Sequence, residues 1–127
     1  MKGILDTSVF ITSEQGCQLD RSRLPDEAAI SIVTLAELAL GVHMATSEAV
    51  RARRLRTLQA AQSTYAALDV DEAVAASFAE LVATARKAGR RPKVQDAWIA
   101  ATAHAHRVAV YSQDADFDDL AISVVRV

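Results

Sequence analysis

Hydrophobic and polar positions follow two rhythms along the chain: short apolar runs, and longer stretches in which apolar side chains recur every three or four residues. Lys2 to Leu5 reads as a first strand, and Asp6-Thr7-Ser8 as a turn that caps a short helix through Val9 to Glu14. Gln15 to Glu27 is a polar connection. The β-branched run Ala28 to Val33 suits a buried strand. Thr34 then caps a helix from Leu35 to Ala45 that is apolar on nearly every side, which predicts protein around most of it and a desolvated Glu37. Ser47 to Tyr65 is a further helix, with Leu55, Leu58 and Ala61 on a narrow stripe and Arg51, Arg53, Arg54 and Arg56 in its first half. Ala66 to Val70 is a brief strand. From Asp71 an amphipathic helix carries Val74, Phe78, Leu81, Val82 and Ala85, a stripe that suits the core, and Gly89 ends it. A basic loop, Arg90 to Lys93, leads into a helix from Val94 to His106, a strand from Val108 to Tyr111, a tight turn or short helix from Asp114 to Leu120, and a last strand from Ile122 to Val127.

Strand and helix thus alternate without a tight Asn-Gly hairpin, which predicts an α/β protein with a parallel sheet flanked by helices. In such sheets ligands gather beyond the carboxyl ends of the strands, and Asp6 and Asp114 follow two of those ends. The 127 residues, 51% of them hydrophobic, fit one domain with its own core and no linker. A net charge of -2 gives no global basic field, so any polyanion must be held locally. With 5% aromatic residues, base stacking is poorly supplied and backbone contacts must dominate. Cys17 stands alone, which excludes an internal disulfide and cysteine-cage zinc and fits a reducing compartment. No run is long enough to span a bilayer and no signal peptide is evident, so a cytoplasmic location without membrane contact is expected.

Acids set against apolar sequence supply the candidate chemistry. Asp6 follows the run Met1 to Leu5, Glu37 lies within Leu35 to Val42, Asp96 opens Ala97 to Ala103, and Asp114 and Asp116 follow Val108 to Tyr111. Two carboxylates about 4 Å apart repel by roughly 4 kcal/mol at an effective dielectric near 20, so a cluster persists only with protons or a cation between its members. Oxygen-only ligands suit Mg2+ or Mn2+ and disfavour zinc. Asp6 is also a natural helix cap, Glu37 a natural partner for an arginine, and Asp96 a favourable first-turn acid. Asp118 and Asp119 read as a hydrated turn, and His43, His104 and His106 as structural or surface residues. Lys87, Arg90, Arg91 and Lys93, shortly before Asp96, form a candidate binding group that could hold a phosphodiester.

Four motifs in register, Leu5-Asp6-Thr7-Ser8, Thr34-Leu35-Ala36-Glu37-Leu38, Asp96 to Ala103 and Ser112-Gln113-Asp114-Ala115-Asp116-Phe117, resemble the PIN-domain ribonucleases, above all the VapC-type toxins of toxin–antitoxin pairs. The resemblance spans essentially the whole chain. It implies a three-layer α/β/α sandwich around a parallel sheet and metal-dependent endonucleolytic cleavage of RNA. The implied acids are Asp6, Glu37, Asp96 and Asp114, with Asp6, Asp96, Asp114 and Asp116 as ligands for Mg2+ or Mn2+. Ser8 and Ser112 are the implied polar supports, Ser112 standing where many relatives have threonine. A water activated by the metal needs no ribose 2′-hydroxyl, so 5′-phosphate and 3′-hydroxyl products are implied. A homodimer and a cognate VapB-like antitoxin are implied as well. A receiver domain would want paired acids after the first strand, and a haloacid-dehalogenase-type phosphatase an Asp-x-Asp there, and neither is present. A non-catalytic RNA- or protein-binding domain of the same fold is the alternative.

Overall fold

Five short strands carry the apolar runs and lie side by side as one parallel sheet. A computed structural model of the chain describes residues 2–127; Met1, first of the apolar run before Asp6, lies outside them. Strand β1 (Lys2–Leu5) leads through α1 (Thr7–Glu14) and a 3-10 turn at Arg21–Arg23 to β2 (Glu27–Ser31). Helices α2 (Ile32–His43) and α3 (Glu48–Thr64) follow, then β3 (Ala66–Leu68), α4 (Glu72–Lys87), α5 (Val94–Ala105) and β4 (Ala109–Ser112). A 3-10 turn over Ala115–Asp119 ends at β5 (Val124–Arg126). The sheet order is β3-β2-β1-β4-β5 and every pairing is parallel. The winding direction therefore reverses between β1 and β4, the place where an open α/β sheet leaves a crevice at its carboxyl edge.

Alternation along the strands divides the core into two layers. Ile4 and Val110 face a cluster with Val74, Leu81, Ala85, Ile99, Ala100 and Phe117, which seats α4 and α5 on one side. Phe78 and Trp98 stack between these helices at a centroid distance of 3.8 Å. Leu5, Ile30 and Tyr111 face the other side, against Val9, Leu38 and Ala61 of α1, α2 and α3. Each fully buried aliphatic side chain contributes about 1.5–3 kcal/mol. The three-layer sandwich is the expected one. Gly3 is required within it: a Cβ there would stand 2.2 Å from Tyr111 Cε1.

Some expectations are corrected. The run Ala28 to Val33 is not all strand, because Ser31 accepts a hydrogen bond from Val33 N at 3.1 Å and so starts α2 at Ile32. Thr34, expected as the cap, sits buried inside the helix. Helix α2 is covered on most faces, but Ile32, Ala36, Leu40 and His43 form one exposed stripe, with Leu40 60% exposed. Apolar composition alone does not say which side faces protein. Asp6 rather than the whole turn caps α1, which begins at Thr7. The strands predicted to Val70 and from Ile122 are shorter, and the 3-10 turn at Arg21–Arg23 falls in a stretch read as loop.

Candidate active site

Asp6 and Asp114 leave the carboxyl ends of β1 and β4, the two strands that flank the reversal. Helix α2 brings Glu37 to the same place from one side, and the first turn of α5 brings Asp96 from another. Together with Asp116, Thr7, Ser8, Ile11, Thr12, Lys93 and Gln95 these acids line a single cavity of about 270 Å³. Residues separated by more than a hundred positions thus share one wall.

The acids are held in different ways. Asp6, only 2% exposed, accepts hydrogen bonds from Ser112 Oγ at 2.9 Å and from Ser8 N at 3.3 Å, so its cap role and its place in the cavity coexist. Ser112 is a fully buried hub: its Oγ also accepts from Asp114 N at 2.9 Å and lies 3.3 Å from Ser8 Oγ, which accepts from Gln113 N at 3.0 Å. Ser8 and Ser112 thereby lock the turn after β4 onto the turn after β1. Thr7 Oγ1 donates to Glu37 Oε1 at 2.7 Å and lies 3.1 Å from the buried Thr34 Oγ1. Asp116 accepts from Lys93 Nζ at 2.9 Å.

Asp96 differs from the rest. Its Oδ2 is buried with no hydrogen-bond partner among the described residues. Burial first, then the charges of Asp6, Asp116 and Glu37, push its pKa up to about 6, with Lys93 opposing them. Glu37 is also raised, mainly by burial and against the Thr7 hydrogen bond. Asp114 is raised by burial and by Asp6 and Asp116. Lys93, beside Asp116 and facing Asp96, is held above the ordinary lysine value. The positive end of α5 opens toward this cavity and favours anions there.

Such a wall fits a hard divalent cation. Its donors are carboxylate and hydroxyl oxygens, and an unpartnered buried carboxylate oxygen is a group that a cation would satisfy. The acids do not form a ready-made cage: no set of three His, Cys, Asp or Glu groups among the described residues is close enough to grip an ion as it stands.

All five singled-out acids, Ser8 and Lys93 line the cavity, with Ser112 behind them. Lys87, Arg90 and Arg91 are exposed and outside that lining. Thr7, Thr12 and Gln95 line the cavity as well, with Thr34 behind Thr7. Thr7 was the readable one, since it follows Asp6 and precedes Ser8 in the first motif. His104 is exposed, its Nδ1 lying 2.9 Å from Ser77 Oγ, which ties α5 to α4 as a structural histidine would.

The family model described as "PIN domain" matches residues 3–123. Ribonuclease VapC5 of Mycobacterium tuberculosis is 42% identical, over 98% of this chain and 95% of that protein. Ribonuclease VapC4 of the same organism is 44% identical, over 91% of this chain and 88% of its own length. Among solved structures, that of VapBC-5 from Mycobacterium tuberculosis, a member of the VapBC family of toxin–antitoxin systems, superposes with a TM-score of 0.88 at 41% identity, covering 99% of this chain and 97% of that one. The chain belongs to the PIN-domain family and, within it, groups with the VapC ribonucleases.

Proposed function

We propose that this protein is a divalent-metal-dependent endoribonuclease that acts as the toxin of a toxin–antitoxin pair. The observation that carries this reading is the convergence of five carboxylates on one cavity at the sheet's reversal, one of them buried and unpartnered. Its relatives are named ribonucleases, and a structural neighbour is a toxin–antitoxin complex.

Asp6, Asp96, Asp114 and Asp116 would hold Mg2+ or Mn2+. When bound, such an ion supplies Lewis acidity that lowers the pKa of water and offsets charge growing on phosphoryl oxygens. The chain's own groups do the rest. The Ser112 and Ser8 contacts fix Asp6 and the start of the Asp114 turn, so neither carboxylate must be ordered when substrate arrives. Glu37, with its pKa raised and its orientation set by Thr7, is suited to take a proton from the attacking water. Lys93 Nζ, at the rim, can meet a non-bridging phosphate oxygen, and Lys87, Arg90 and Arg91 can meet flanking phosphates farther out. Repulsion from the acidic wall makes such basic contacts and the ion necessary for RNA to approach.

A VapB-like antitoxin is the proposed protein partner, with a homodimer as the working assembly and the cytoplasm as the location. No helix among the described residues is long and apolar enough to cross a membrane. The test is cleavage of RNA by purified protein freed of its antitoxin, with Mn2+ and with chelator, alongside Asp6→Ala. Metal-dependent cuts with 5′-phosphate ends that vanish in the variant are expected. Equal cutting by both proteins would refute the reading, and absence of Mn2+ binding would favour a non-catalytic binding domain.

A further inference from the structure

The last strand ends on an arginine whose guanidinium bonds to the acid-bearing turn. Arg126 is in register with Ser112, the buried serine that holds Asp6, and Val127 N donates to Ser112 O at 3.1 Å. Its guanidinium reaches forward from there. Nη1 donates to Gln113 O at 3.2 Å, and Nη2 lies 3.4 and 3.5 Å from the two carboxylate oxygens of Asp118. Gln113 and Asp118 bracket the segment 114–117, which carries Asp114 and Asp116. The near end of that segment is pinned by Ser8 and Ser112 through the Gln113 and Asp114 amides. Its far end is a 3-10 turn, anchored by the buried Phe117 and by Arg126 at Asp118.

We propose that Arg126 is a positioning residue of the acidic site: by clasping both ends of this segment it sets where Asp114 and Asp116 stand. The inference rests on the metal-binding reading of the cavity. Arg126 and Asp118 are both substantially exposed, so their pairing contributes little to global stability. What the clasp supplies is geometry: a planar fork reaches the carbonyl with one nitrogen and the carboxylate with another, where a lysine has a single nitrogen for both.

The experiment compares wild type, Arg126→Gln and Arg126→Lys in three measurements on the whole protein: thermal midpoint, amide hydrogen exchange without metal, and calorimetric titration with Mn2+. Thermal midpoints close to wild type are expected for both variants. Exchange should quicken at residues 113–119 and not in α4. Mn2+ affinity should fall about 10-fold in Arg126→Gln, the low end for outer-shell partners, with a smaller loss in Arg126→Lys. Wild-type affinity in Arg126→Gln would overturn the clasp, as would faster exchange throughout the molecule, which marks a merely structural arginine. No Mn2+ binding by the wild type would instead overturn the metal site on which the inference rests.

Discussion

Helix α5 belongs to two regions with opposite physics. Ile99, Ala100 and Ala103 are sealed against the sheet and α4, while Asp96, one turn earlier, keeps a buried oxygen without a hydrogen-bond partner. In the α4–α5 layer burial removes apolar surface from water and stabilises the fold. In the acidic cavity burial raises the pKa values of Asp96, Glu37 and Asp114 and so opposes it. The first region holds the molecule together. The second gives up stability for a wall of negative charge that only a cation or protons can quiet, and that is why the chemistry belongs there.

Substitutions in the two regions should therefore separate stability from activity. The largest effect is expected from Asp96→Asn, which keeps the shape of the side chain and removes its charge: metal-dependent RNA cleavage falls to background. Its effect on stability has the opposite sign. Because the folded-state pKa of Asp96 is raised to about 6, its contribution to stability is full below the unfolded value near 4 and is lost as pH rises through about 6. Melting followed by circular dichroism in chelator should then show Asp96→Asn above wild type near pH 7.5 and level with it near pH 4. A lower midpoint for the variant at the higher pH would show that the cavity is not strained.

Leu81→Ala, in the apolar layer, should cost about 2–5 kcal/mol by denaturant unfolding, while cleavage per folded molecule stays at the wild-type rate. Gly3→Ala follows, because the new methyl group drives into the Tyr111 ring; overpacking of this kind costs about 1–3 kcal/mol. Tyr111 must move, and with it the strand that leads to Ser112. The smallest effect belongs to Lys93→Gln at the rim. Its pair with Asp116 is exposed and adds little to stability. RNA affinity should weaken, and the slope of its logarithm against that of salt concentration should shrink by about 1. An unchanged slope would remove Lys93 from the phosphate path.

Much of this contrast was legible in the sequence. The strand runs, the stripe of Val74, Leu81, Val82 and Ala85, and the positions of Asp6 and Asp114 after two strands follow from periodicity and local chemistry, and the sandwich was found as expected. Boundaries set by a single side-chain hydrogen bond were not. Ser31 starts α2 inside a β-branched run, and nothing in the apolar pattern of α2 distinguished Leu38, which is buried, from Leu40, which is not. In the site, acids embedded in apolar sequence gave themselves away by their cost. Among the hydroxyls that hold them, Ser8 and Ser112 are marked by the motifs in which they stand, whereas Thr34, behind Thr7 and Glu37, acquires meaning only when α1 and α2 become neighbours. For the same reason Lys93 could not be told from Lys87, Arg90 and Arg91: the four share composition, and only the start of α5 brings one of them to the cavity.

Calorimetric titration of Mn2+ into metal-free protein at about pH 7.5 and about pH 5, in parallel with Asp96→Asn, tests most directly whether these acids jointly grip a divalent ion. Saturable binding at the higher pH is expected, weaker at the lower pH where Asp96, with its pKa near 6, takes up a proton, and lost in the variant. A wild type that gives no saturable heat, or a variant that binds as tightly as the wild type, would contradict it.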